Sequence, residues 1–146
     1  MKPEFRKLRV KQLERTLQPL LAARSVSRPQ KGWIRAFREV TGLTLREVAQ
    51  RLGGTAAGVA YLEKSEAEYR ISLGKLREAA DALGCELVYA LVPKSRSVQE
   101  LVEQVTRTKA AEIVLAVEHT MELEDQAVGG VDEKIDEHTK RILKTA

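Results

Sequence analysis

Residues 44–62 read TLREVAQRLGGTAAGVAYL, and this stretch decides the fold. Thr44 and Glu47 have the spacing of a capping box, in which the threonine hydroxyl accepts from the Glu47 N–H and the glutamate reaches back to the Thr44 N–H. Val48, Ala49 and Leu52 then form one apolar stripe at helical spacing, with Arg46, Glu47, Gln50 and Arg51 largely outside it. Gly53 and Gly54 supply the positive-φ backbone that a sharp helix exit needs. Thr55 restarts a helix as N-cap, and Val59 and Leu62 return to the same apolar side. Two short helices with three residues between them have the form of a helix-turn-helix, whose second helix enters a DNA major groove. The same spacing also suits an ordinary helical hairpin inside a bundle.

Working outward, Trp33, Ile34, Phe37 and Val40 predict an amphipathic helix that Gly42 stops, with Trp33 and Phe37 read as core. On the other side, LEKSEAEYRIS reads as a polar loop. Ser72 then caps a helix running from Leu73 to Leu83, with Leu76, Ala79, Ala80 and Leu83 inward, and Gly84 ends it. The run CELVYALV is short and rich in β-formers, so a strand is expected from Glu86 to Val92, stopped by Pro93. A lone strand needs an edge partner, and the same strand of a second subunit across a two-fold axis supplies one. The alternative is an extended segment lying on the helical core.

The flanks are helical as well. Phe5, Leu8, Leu13, Leu17, Leu20 and Leu21 give a loosely helical arm bent at Pro19, and SVSRPQKG (25–32) has the composition of a linker. Ser97 and Glu100 repeat the capping-box spacing before a long helix from Val98 to about Ala127, ended by Gly129 and Gly130. Asp132 is expected to cap a last helix carrying Ile135, His138 and Ile142 on one side. The organisation expected is a basic arm and linker over 1–30, a helix-turn-helix domain with terminal strand over 31–93, and a helical extension over 94–146.

Composition narrows the function classes. The net charge of +4 conceals a basic front, with segment charges of +8 for residues 1–50, −1 for 51–93 and −3 for 94–146. A basic front suits phosphate binding through counterion release, and it equally suits a solvated helix face. Cys85 is the single cysteine, so neither an intrachain disulfide nor a multi-cysteine metal site can form. No Gly-rich phosphate loop follows a strand, and neither His119 nor His138 has metal-ligand neighbours, so no enzyme, cofactor or metal is expected. No apolar run approaches the ~20 residues that span a bilayer, and MKPEFRKLRVKQLER lacks a signal-peptide core, so a cytoplasmic location without membrane association is expected.

With these residues in place, LTLREVAQRLG resembles the Xre/Cro/C1-type helix-turn-helix domains of bacterial and phage repressors. The longer strings GWIRAFREVTGLTLREVAQRLGG, LEKSEAEYRISLGKLREAADALGCELVYALVP and AVEHTMELEDQA are similar to the family called mobile mystery protein A, over nearly the whole chain. The resemblance implies a mainly α, lambda-repressor-like domain with a short C-terminal strand and additional flanking helices. It further implies a homodimeric regulator of double-stranded DNA near its own gene. The partner it implies is a Fic-domain protein like mobile mystery protein B, toward which the chain is antitoxin-like; the competing reading is an interaction module that no longer reads DNA.

Carried onto this chain, the repressor pattern sets Thr55 at the cap and phosphate position, Ala56, Ala57, Ala60 and Tyr61 toward the groove, and Lys64 near the DNA backbone. Thr44, Arg46, Arg51 and Arg70 complete the expected DNA-binding set. Ala56, Ala57, Gly58 and Ala60 offer no side-chain hydrogen-bond partner, although an alanine methyl can touch a thymine methyl. Specificity is therefore expected from Tyr61, the cations and DNA shape. Known inhibitors of Fic enzymes carry a helix with Ser/Thr-x-x-x-Glu-Gly/Asn, and the nearest string here runs from Thr120 to Asp125. Glu124 is thus the candidate inhibitory residue, with a solvated acidic helix face as the alternative.

Overall fold

The computed structural model describes residues 1–123 and 130–145. The chain is mainly helical: Pro3–Leu17 (α1), a 3-10 helix Gln18–Ser25, Trp33–Thr41 (α2), Leu45–Leu52 (α3), Ala56–Ala67 (α4), Leu73–Ala82 (α5), Val98–Leu123 (α6) and Val131–Thr145 (α7). These elements form two compact units, Ser25–Tyr89 and Met1–Arg24 with Ala90–Ala146. No described helix is long and apolar enough to cross a membrane.

The 25–89 unit is built from α2 to α5 around Ile34, Val48, Ala49, Val59, Ala79 and Leu83, with Leu43, Leu45, Leu52, Leu62, Ile71, Leu76 and Cys85 packed against them. Its helix boundaries follow local chemistry. Thr44 and Glu47 make both bonds of the capping box, with Thr44 N–H to Glu47 Oε2 at 2.7 Å and Glu47 N–H to Thr44 Oγ1 at 3.1 Å. Gly53 ends α3 at φ 69°, and Thr55 opens α4 by accepting the Gly58 N–H at 3.0 Å. Ser72 caps α5 in the same way through the Lys75 N–H.

Three expectations for this unit change. LEKSEAEYRIS is not a loop throughout, because α4 continues to Ala67; its last two turns bury Glu63, Ser65 and Glu66 rather than apolar residues. The inward face of α2 is Ile34 with Arg38, not Trp33, Phe37 and Val40. Val40 is 81% exposed and both aromatic rings are 40% exposed, since α4 meets α2 with carboxylates that select the arginine side. Finally, residues 86–92 form no strand: they make no backbone hydrogen bond among the described residues, and a ladder needs a neighbour that this chain does not supply.

In the other unit, α6 and α7 pack through Ala110, Val114, Ile135 and Thr139. The ion pairs Arg107 to Asp136 and Lys134 to Glu118 flank that seam. The basic arm joins this unit: Leu17 is buried, Glu14 Oε1 accepts the Gln99 N–H at 3.1 Å, and Arg24 donates to the Ser95 carbonyl at 3.1 Å. Ser97 caps the Glu100 N–H at 3.0 Å, but Glu100 returns to the N–H of Arg96 instead of Ser97, so only half of the expected box forms. Asp132 lies inside the first turn of α7 rather than before it, where a carboxylate favours the positive end of the helix dipole.

Candidate functional site

Helix α4 has two faces of opposite character. Its inward side carries Val59, Glu63 and Glu66, at 2%, 8% and 4% exposure. Its outward side carries Ala57, Ala60, Tyr61 and Lys64, an i, i+3, i+4, i+7 set that is exposed throughout, while Ala56 is half-buried. The outward side is smooth apart from the Tyr61 ring, which is 68% exposed, and the Lys64 chain.

Polar contacts from several elements set the rotation of α4. Arg38 of α2 grips Glu63 with two bonds, Nε to Oε1 at 2.5 Å and Nη2 to Oε2 at 3.2 Å, and its Nη1 donates to the Leu43 carbonyl at 3.3 Å. The Glu63 hydrogen bond raises the Arg38 pKa above its ordinary value. One turn on, Glu66 caps α2: Oε1 accepts the Trp33 N–H at 2.8 Å and Oε2 the Ile34 N–H at 3.1 Å. Gly32 makes room for that carboxylate, at φ 89° and with no side chain.

The end of α4 is closed by Arg28, from the segment that composition marks as a linker. Its guanidinium donates to the Glu66 and Ala67 carbonyls at 3.0 and 3.2 Å and to the Tyr69 hydroxyl at 3.1 Å, and lies 4.0 Å from the centroid of that ring. Tyr69 takes φ 59°, the left-handed turn that lets the Arg70 N–H reach back to the Ser65 carbonyl at 2.8 Å.

The expected DNA-binding residues divide on this geometry. Thr44 and Thr55 are spent on helix caps, with their hydroxyls accepting backbone N–H groups. Arg51, exposed on α3, donates to the Ala82 carbonyl at the end of α5 at 3.0 Å and braces the two helices together. Arg70 pairs with Glu68. The Arg46 and Lys64 side chains are exposed and make no hydrogen bond or ion pair among the described residues. The structure therefore brings Ala57, Ala60, Tyr61 and Lys64 together on one face and leaves Arg46 on the preceding helix. Of the Fic-inhibition candidates, Thr120 donates its hydroxyl to the Ala116 carbonyl at 3.0 Å within α6, and Glu124 lies outside the described residues.

Sequence reasoning missed Arg28, Arg38, Glu63 and Glu66, the groups that orient α4. A usable signal exists for two of them: Arg38 follows Ile34 by four residues and Glu63 follows Val59 by four, so each extends a buried stripe with a charge. Opposite charges on two inward stripes point to a buried pair.

Beside α2 and α5 the unit also carries an apolar groove of about 500 Å³, whose walls include Trp33, Phe37, Leu73, Leu76, Leu87 and Tyr89. Among the described residues no cluster of His, Cys, Asp and Glu converges as metal binding requires. Comparison with family models, with curated proteins and with solved structures finds no match to this chain.

Proposed function

We propose that the 25–89 unit binds double-stranded DNA as a helix-turn-helix, with α3 as the supporting helix and α4 as the helix that enters the major groove, and that the chain is a homodimeric transcriptional regulator. The outward face of α4 supports this reading: four exposed residues at helical spacing, on a helix whose C-terminal half is held by part-buried polar contacts. An alanine surface lets the helix backbone approach the groove floor, where Ala57 and Ala60 methyls meet thymine methyls and Tyr61 supplies the hydroxyl for a base edge or phosphate. Arg46 and Lys64 serve the phosphates, and the first N–H groups of α4 add an anion-favouring helix end. With so few base-directed side chains, DNA shape carries much of the discrimination.

The antitoxin role toward a Fic-domain partner follows from the family resemblance, with Thr120 and Glu124 as its candidate contact. Electrophoretic mobility shifts on DNA upstream of the gene test the central reading. A specific shift that weakens steeply with salt is expected; Lys64→Ala and Arg46→Ala should weaken binding to all sequences, and Tyr61→Ala should narrow the gap between specific and random DNA. Absence of any specific shift at low salt rejects DNA reading. It would leave the interaction-module reading, which the exposed Trp33 and Phe37 groove favours.

A further inference from the structure

Between the Cys85 N–H, which bonds the Ala80 carbonyl, and the Arg96 N–H, which bonds Glu100, lies a stretch with no internal pairing. Residues 86–94, ELVYALVPK, make no backbone hydrogen bond among the described residues, and Glu86 and Lys94 make no ion pair there. Val88, Tyr89 and Leu91 are 68%, 59% and 86% exposed on it. Nine consecutive residues with free donors and acceptors, rich in β-formers, form an open edge.

We infer that this edge is the dimer surface, and that it pairs antiparallel with the same segment of a second copy, centred on Ala90. The inference rests on the dimeric part of the proposed function and not on DNA reading. Two features of the sequence select the centre. A two-fold axis makes one residue face its own copy, and with Ala90 in that place Glu86 faces Lys94 of the partner subunit at both ends. The same register sets Val88 against Val92 of the partner subunit and Tyr89 against Leu91 of the partner subunit, so the most exposed apolar residues cover one another.

Pro93 then fixes which pairs share hydrogen bonds. Having no N–H, it belongs at an outward-facing position, which puts residues 87, 89, 91 and 93 in the non-hydrogen-bonded pairs and Ala90 in a hydrogen-bonded one. Leu87 and Tyr89 already form a wall of the apolar groove, so the partner's Leu91 opposite Tyr89 would extend over its mouth. A second copy thus pairs the inward-facing half of the open backbone, covers exposed apolar side chains and matches the two unpaired charges.

The test uses the full chain without DNA, so that its outcome is separate from that of the mobility shift. Sedimentation should show a dimer at tens of micromolar. In the antiparallel register the two Ala90 Cα atoms are about 5.5 Å apart, within disulfide reach, whereas the two copies of Val88 are offset by four residues, about 14 Å. Ala90→Cys should therefore give a covalent dimer under mild oxidation, while Val88→Cys and the unaltered chain should link at least about tenfold more slowly, beyond the reach of a strained bridge. Glu86→Lys should weaken association several-fold, and adding Lys94→Glu should restore it. A monomer at these concentrations, linkage of Val88→Cys as fast as that of Ala90→Cys, or no recovery in the double charge reversal would each overturn the assignment.

Discussion

Gly32→Ala tests whether α4 is locked to α2 as described. The backbone at Gly32 has φ 89° and ψ 167°, a region reserved almost entirely for glycine, so a side chain there costs about 1–3 kcal/mol in strain. A Cβ would also stand 2.8 Å from Cδ of Glu66 and closer still to Oε2. A flexible glutamate could swing aside at little cost, but this one is 4% exposed and accepts the Trp33 and Ile34 N–H groups. Moving it forfeits at least one charge-assisted bond, worth about 1.5–3 kcal/mol. The sum is about 2.5–6 kcal/mol, or a fall in Tm of roughly 10–20 °C at the low end for a domain of this size.

Urea denaturation read by Trp33 fluorescence is suited to the measurement, because Trp33 is the chain's one tryptophan and sits beside the substitution. Gly42→Ala is the control: φ is 72° but nothing lies within 4 Å, so it should cost only about 1–2 kcal/mol. Removing Glu66 should relieve the collision, so Gly32→Ala with Glu66→Ala should cost at least about 1.5 kcal/mol less than the two single changes added together. Equal losses for Gly32→Ala and Gly42→Ala, or additivity within about 0.5 kcal/mol, would refute the lock.

Other perturbations follow from the same contacts. Glu63→Ala strands a mostly buried guanidinium and should cost about 3–5 kcal/mol in urea unfolding, with Arg38→Ala adding far less once Glu63 is gone. Thr44→Ala should cost about 1 kcal/mol at neutral pH. The Thr44 backbone and hydroxyl hold the Glu47 carboxyl below its usual range, so the stabilisation of that carboxylate is present above the ordinary glutamate pKa and lost as pH falls through the lowered one; the gap between the chain and Thr44→Ala should narrow below about pH 4. Arg51→Ala should lower stability by about 0.5–1.5 kcal/mol through the lost Ala82 contact, and Arg46→Ala should leave it within about 0.5 kcal/mol.

What was legible in the sequence was the chemistry that acts over a few residues. The Thr44 box, the Thr55 and Ser72 caps, and the apolar set Val48, Ala49, Val59, Ala79 and Leu83 are all local signals, and each lies where the spacing placed it. The errors at α4 and α2 share one cause. A search for apolar stripes treats Glu63 and Glu66 as solvent-facing and so ends α4 early, and it assigns the aromatic side of α2 to the core. The partners that make burial of those carboxylates tolerable come from positions 25 and 33 residues away, beyond any local window. Arg28 was hidden for the same reason, its acceptors being 38 and 39 residues distant.

Those buried carboxylates bear on how a nearly blank helix could read DNA. Apolar packing alone leaves a short helix some freedom to rotate, because methyl groups repack with little directional preference. Glu63 in the fork of Arg38 and Glu66 on two successive N–H groups of α2 have no such freedom, since each loses charge-assisted bonds on a small turn of the helix axis. A helix pinned in this manner presents Tyr61 and Lys64 in one orientation before any partner arrives. Preorganisation reduces the ordering cost of binding, and under the proposed DNA reading this would compensate in part for the few hydrogen-bonding groups on the alanine face.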